Sequence, residues 1–179
     1  MKTFLPRLLL VLLAGWAGYY LTIVSAPYVV FYAFEHKLLG KIPDNTLFHA
    51  PLPTAAAKNG TMPNPDFLYS ILKYNLADGP IHLTGTVPHN TYWSFSTYQA
   101  NSSNFYVIND EQIPDDHFDF VIAKEGQSLE AYHLPANVHV IYSPSTTGVG
   151  LFRLLASTKI NSSDLEALRQ QTHVERLKN

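Results

Sequence analysis

Twenty-seven consecutive residues without a charge, Leu8 to Phe34 (LLLVLLAGWAGYYLTIVSAPYVVFYAF), constrain this chain more than any other feature. As a helix the run would reach about 40 Å at roughly 1.5 Å per residue. A bilayer's hydrocarbon core is about 30 Å thick and takes roughly 20 apolar residues to cross. The run can therefore span with tilt, or span with its aromatic end in the headgroup layer. Val24-Ser25-Ala26 resembles a signal-peptidase site, but Pro27 would follow the cut and the apolar run continues beyond it. An uncleaved anchor is the favoured reading, ahead of a cleaved signal and of a buried soluble helix. Pro27 lacks an N–H and is expected to kink the helix or end its straight part. Tyr28, Phe31, Tyr32 and Phe34 are then expected in an interfacial aromatic belt.

Lys2, Arg7 and the amino terminus precede the run, and His36, Lys37 and Lys41 follow it, so basic flanks nearly tie. A short tail before a long C-terminal domain behaves as a signal-anchor, which puts the N-terminus in the cytoplasm and the domain outside it. Ala14, Gly15 and Gly18 form a small-residue face on which another backbone can approach closely. Thr22 and Ser25 place hydroxyls near mid-membrane. Each either bonds back to its own helix or meets a partner helix.

The 179 residues allow one anchor, residues 1–37, and one domain with a single core. Residues 38–63, broken by Pro43, Pro51, Pro53 and Pro63, read as a connector, which leaves 64–179 as the domain. From Leu38 onward nine Lys and Arg face thirteen Asp and Glu, a net charge of −4, which argues against a nucleic-acid partner. There is no cysteine, so disulfides and thiolate metal sites are excluded. Three Asn-x-Ser/Thr acceptors begin at Asn59, Asn101 and Asn161, and they matter only in a secreted eukaryotic context.

Short strands dominate the domain. Ile81 to Val87 alternates cleanly, and Thr91–Tyr98, Phe105–Ile108, Phe118–Ala123 and Val138–Tyr142 complete the strand set. Phe67–Leu76 fits a strand or a short helix. Turns about every dozen residues point to a mainly β domain, a sandwich or partly open barrel. The chain is expected to close in helices. Gly148–Thr158 is ambiguous, and Ser163-Asp164-Leu165-Glu166 is a capping box with Ser163 as N-cap.

Asn64-Pro65-Asp66-Phe67-Leu68-Tyr69-Ser70, Asn75-Leu76, Gly79-Pro80, Pro88 and Tyr92-Trp93-Ser94-Phe95 follow one another in an order that resembles the bacterial domain of unknown function family 1254. Asn104-Phe105, Ser143-Pro144, Leu151-Phe152-Arg153 and Asp164-Leu165 extend the similarity, which runs from about Leu47 to Leu168. Asn75 and Gln99 stand where the family usually has aspartates. The resemblance implies a β-rich, sandwich-like bacterial domain, hence an inner-membrane anchor with a periplasmic domain. It also implies a companion of the family 1214 type, encoded separately because longer relatives carry both in one chain. It implies no reaction.

Chemistry rests on the motif-matched polar residues Asn64, Asp66, Tyr69, Ser70, Asn104 and Arg153. An Asp–Arg pair is geometrically demanding and serves a fold as readily as an anion site. Ser70 has no visible base in sequence, and no GxSxG elbow occurs. The histidines offer no HExxH, and Asp110–Asp119 lacks the glycine and terminal glutamate of a calcium loop, so no metal or cofactor is expected. Tyr92, Trp93, Tyr98, Phe105 and Tyr106 fit a core better than a sugar groove. Three functions remain: an anchored accessory subunit, which leads, a lipid- or carbohydrate-binding module, and a hydrolase.

Overall fold

A computed structural model describes residues 4–53, 64–88, 91–113, 115–156 and 162–178. One long helix, α1 (Phe4–Leu38), runs through Pro27 without ending there. Nine strands follow among the described residues: β1 (Thr46–His49), β2 (Phe67–Asn75), β3 (Ile81–Thr86), β4 (Trp93–Gln99), β5 (Asn104–Asn109), β6 (His117–Lys124), β7 (His139–Ser143), β8 (Thr147–Leu155) and β9 (His173–Arg176). A short helix, α2 (Ser162–Gln170), precedes β9. The strands form a five-stranded sheet ordered β1-β2-β8-β4-β5 and a four-stranded sheet ordered β7-β6-β3-β9. Pairings are antiparallel except β6 with β7. The sheets do not close into a barrel, so the expected β-rich domain is a sandwich.

Side-chain alternation is clearest in β2 and β3, one from each sheet. Along β2, Leu68, Ser70, Leu72 and Tyr74 turn inward, and Phe67, Tyr69, Ile71 and Lys73 turn outward. Period two, carried over nine residues, settles the strand-or-helix ambiguity there. Inside, Phe95 stacks on Phe120 of the opposite sheet at 5.5 Å and lies 4.4 Å from Phe152, which in turn sits 4.9 Å from Phe118. This aromatic layer joins the two sheets.

Four expectations need correction. Gly148–Thr158 is not part of a helical close, since Thr147–Leu155 is the long central strand β8. A Cβ at Gly148 would collide with the Tyr74 ring, and one at Gly150 would stand 2.7 Å from the Phe95 ring. Glycine here lets neighbouring aromatics lie across the strand. The connector contains β1, which pairs with β2 from Thr46↔Lys73 to His49↔Ser70. The polar C-terminus contains β9, an edge strand on β3 whose Val174 packs on the core. Its three exposed residues, His173, Glu175 and Arg176, leave no hydrophobic alternation to read. Finally, α2 begins at Ser162, so Ser163 lies inside it. The Glu166 carboxylate accepts from Arg169 and Gln170 one turn ahead. Residues 54–63 of the expected connector, with the Asn59 and Asn161 acceptors, lie outside the described residues.

Along α1 the Thr22 hydroxyl donates to the Gly18 carbonyl at 2.8 Å, the back-bonded alternative. The aromatic belt divides. Tyr28 and Tyr32 are exposed, whereas Phe31 is buried and Phe34 packs beside it against the five-stranded sheet.

Candidate functional site

The motif-matched residues do not converge on one point. Asn64 Oδ1 accepts the Asp66 N–H at 2.9 Å, and the Asn64 N–H donates to the Tyr69 hydroxyl at 3.1 Å, so this trio builds the turn into β2. The Asp66 carbonyl closes the far end of β8 by accepting the Ala156 N–H at 2.7 Å. Tyr69, Arg153 and Ser94 stand opposite one another on β2, β8 and β4, all on the outward face. Arg153 Nε donates to Ser94 Oγ at 3.2 Å. Asn104, at the far edge, donates through Nδ2 to the Thr97 and Tyr106 carbonyls beside a register shift between β4 and β5. These are positions that hold turns, edges and a bulge.

Ser70 faces the other way, into the sandwich, and there it has a partner. His49 Nδ1 and Ser70 Oγ share a hydrogen bond of 2.8 Å across the β1–β2 pairing. Burial, and then the Arg169 guanidinium, push the His49 imidazole below its ordinary pKa and favour the neutral ring. Arg169, almost fully buried, donates through Nη1 to the Ala50 carbonyl at 2.8 Å and to the Tyr69 carbonyl at 2.9 Å. Its Nε reaches Glu166 Oε2 at 2.7 Å. Partial burial pushes the Glu166 carboxyl up, but hydrogen bonds from Gln170 and Arg169 outweigh it and hold the group below its usual range. A serine beside a neutral histidine is the start of a nucleophile. Here, however, the adjoining cavity is about 30 Å³, room for about one water, and Ser70 is 4% exposed. Arg169 is engaged with three partners. The cluster ties α2 to the β1–β2 end of the sandwich. Both His49 and Arg169 escape sequence reading, because one falls in a stretch resembling a linker and the other in a polar helix.

An opening larger than the Ser70 cavity lies on the outward face, where α1 meets the sheet. Phe31 and Leu39 form a buried cluster with Val149 of β8, with Phe34, Ile42, Ile71 and Ala100 packed around it. Lys73 Nζ pairs with Asp44 at 2.9 Å and Glu35 at 3.5 Å. The Asp44 hydrogen bond is the main reason that the lysine pKa is raised. Ser102 Oγ donates to the Pro27 carbonyl at 3.4 Å. Between these ties is a cleft of about 340 Å³, with Val30, Phe31 and Phe34 on the helix side and Ile71, Val149 and Leu151 on the sheet side. The continuous apolar character of β8, with only Arg153 charged, was the sequence signal for this second covered face. Among the described residues no group of three or more His, Asp or Glu could hold a metal ion.

The family model described as "Protein of unknown function (DUF1254)" matches residues 45–176. The chain belongs to the DUF1254 family. The matched span begins at β1 and ends with β9, so it takes in both sheets and leaves α1 outside. The fold is similar to that of the VPA0106 protein from Vibrio parahaemolyticus, with a TM-score of 0.65 at 16% identity over 84% of this chain and 35% of that one. It is also similar to an uncharacterised protein from Burkholderia cenocepacia, with a TM-score of 0.51 at 16% identity over 85% of this chain and 40% of that one. This DUF1254 chain thus spans between a third and two-fifths of the length of these two proteins. No curated protein matches it.

Proposed function

We propose that this DUF1254 protein is a membrane-anchored accessory subunit of a bacterial envelope complex. In this reading α1 crosses the inner membrane with its N-terminus in the cytoplasm, and the sandwich stands in the periplasm beside a companion membrane protein. The observation that carries the proposal is the division of α1. Its last turns are occupied by the sandwich through Phe31 and Phe34, while a Cβ added at Gly15 or Gly18 would meet nothing within 4 Å. Helix α1 is long and apolar enough to be an anchor or a signal sequence. Phe31 and Phe34 lie beyond a cut near Ala26 and would stay with the domain, so the anchor reading rests on the charge-free run from Leu8 to Phe34. Small-residue faces of this kind allow close helix association in lipid. Two linked contacts, one in the bilayer and one outside, reinforce each other through effective concentration.

Native mass spectrometry of the protein extracted in mild detergent tests the proposal. A copurifying membrane subunit is expected, reduced by Gly18→Leu, which blocks close approach while leaving the apolar span intact. A lone monomer for both forms contradicts it. The second reading, a lipid-binding module, is favoured by the cleft on the outward face.

A further inference from the structure

We infer that the cleft between α1 and the five-stranded sheet seats one acyl chain of a membrane phospholipid. The inference rests on the reading of α1 as a membrane anchor and goes beyond the subunit role. Leu8 to Ser25 is 18 residues, about 27 Å of helix, enough to fill the hydrocarbon core. Val30 follows Ser25 by roughly 7 Å and Phe34 by roughly 13 Å at the helical rise. The headgroup layer accounts for roughly 5–8 Å on each side of the core. The mouth of the cleft therefore lies at headgroup depth and its far end just above.

Val29 and Val30 are 62% and 63% exposed, so the helix presents apolar surface from the core up to the mouth. A chain rising along it has only the headgroup layer to pass before it meets the cleft. The cleft volume, about 340 Å³, is at the small end for ligand sites. Tyr98 and Ser102 bring the only hydroxyls to its lining, and the Ser102 hydroxyl is already given to Pro27. A sugar would find too few hydrogen-bond partners there, since buried polar groups need them. An unfilled apolar void forfeits dispersion contacts along its whole lining, which favours an apolar occupant. The Lys73–Glu35 ion pair and the Ser102–Pro27 hydrogen bond join helix and sheet beside the space.

Full-length protein reconstituted in phosphatidylethanolamine/phosphatidylglycerol vesicles provides the test. The vesicles are doped with a phospholipid carrying a diazirine within its acyl chain or, in a second arm, with free diazirine-bearing palmitate. After illumination, adducts are mapped by mass spectrometry. Phospholipid adducts are expected on Ile71, Val149 and Leu151, besides those on Leu8 to Ser25. Leu151→Trp, which fills the cleft, should lower the sheet adducts at least fivefold and leave the helix adducts unchanged. Val30→Trp narrows the mouth from the exposed helix side and should act likewise without touching a strand. Sheet adducts that are absent, that persist in both variants, or that arise only from free palmitate overturn the inference while leaving the anchor in place. Missing adducts on Leu8 to Ser25 overturn the anchor reading itself.

Discussion

The two faces of the five-stranded sheet are built from similar residues and filled to different degrees. On the inward face Trp93, Phe95 and Leu72 are at most 2% exposed, and Gly150 is without a side chain because the Phe95 ring occupies that space. On the outward face Ile71 and Leu151 are only half buried, and a cleft of about 340 Å³ remains between them and the helix. Interiors are packed to crystal density because each void loses contacts. The inward face follows that rule and the outward face does not. The difference separates residues that make the domain fold from residues that join it to helix α1.

The largest effect should come from the inward face. Phe95→Ala removes a ring that touches Phe120 and Phe152, and should cost about 3–5 kcal/mol in chemical denaturation of the detergent-solubilised protein. A loss under about 1 kcal/mol would mean that the two sheets are not joined through this layer. Arg169→Ala comes next. It leaves the part-buried Ala50 carbonyl without this donor and the Tyr69 carbonyl with the Ala50 N–H alone, and should cost about 1–3 kcal/mol, discounted for the half-exposed Glu166 partner.

A pH effect on the same cluster is smaller. The His49 imidazole titrates below its ordinary value in the folded state, so the unfolded chain binds more protons below about pH 6.5. Stability should therefore fall as pH is lowered from neutrality toward 5.5, and His49→Gln should flatten that slope. An unchanged slope would show that the ring is not held neutral beside Ser70. The smallest effect belongs to the outward face. Lys73→Met breaks the pairs with Asp44 and Glu35, and should cost less than about 1 kcal/mol. Hydrogen exchange should nonetheless rise over residues 28–38, where the helix is held.

Legibility in the sequence follows the same division. Strands with one apolar face, such as Ile81–Thr86 with Ile81, Leu83 and Gly85 inward, declare themselves by alternation. Strand β8 is apolar on both faces, and a run of that kind reads equally well as a buried helix. Strand β1 hides among prolines, and its evidence is the partner strand, which sequence order does not place beside it. The candidate site was harder still. Ser70 was visible as a motif residue, but its partner His49 is 21 residues away in the chain and comes within 2.8 Å only through the β1–β2 register. Phe31 and Phe34 looked like headgroup-layer aromatics because nothing in a helical run marks which side meets a folded domain.

The central claim is that the last turns of α1 are part of the domain, seated on the outward face of the sheet. Absence of native cysteine permits a direct measurement, with Phe31→Cys and Val149→Cys introduced together into the full-length protein in native membranes. Treatment with a short bis-maleimide should join the two within one chain, seen as a single crosslinked peptide pair with no dimer band and no product from either single variant. Failure to crosslink, or crosslinks found only between chains, would contradict the seating of the helix on its own sheet.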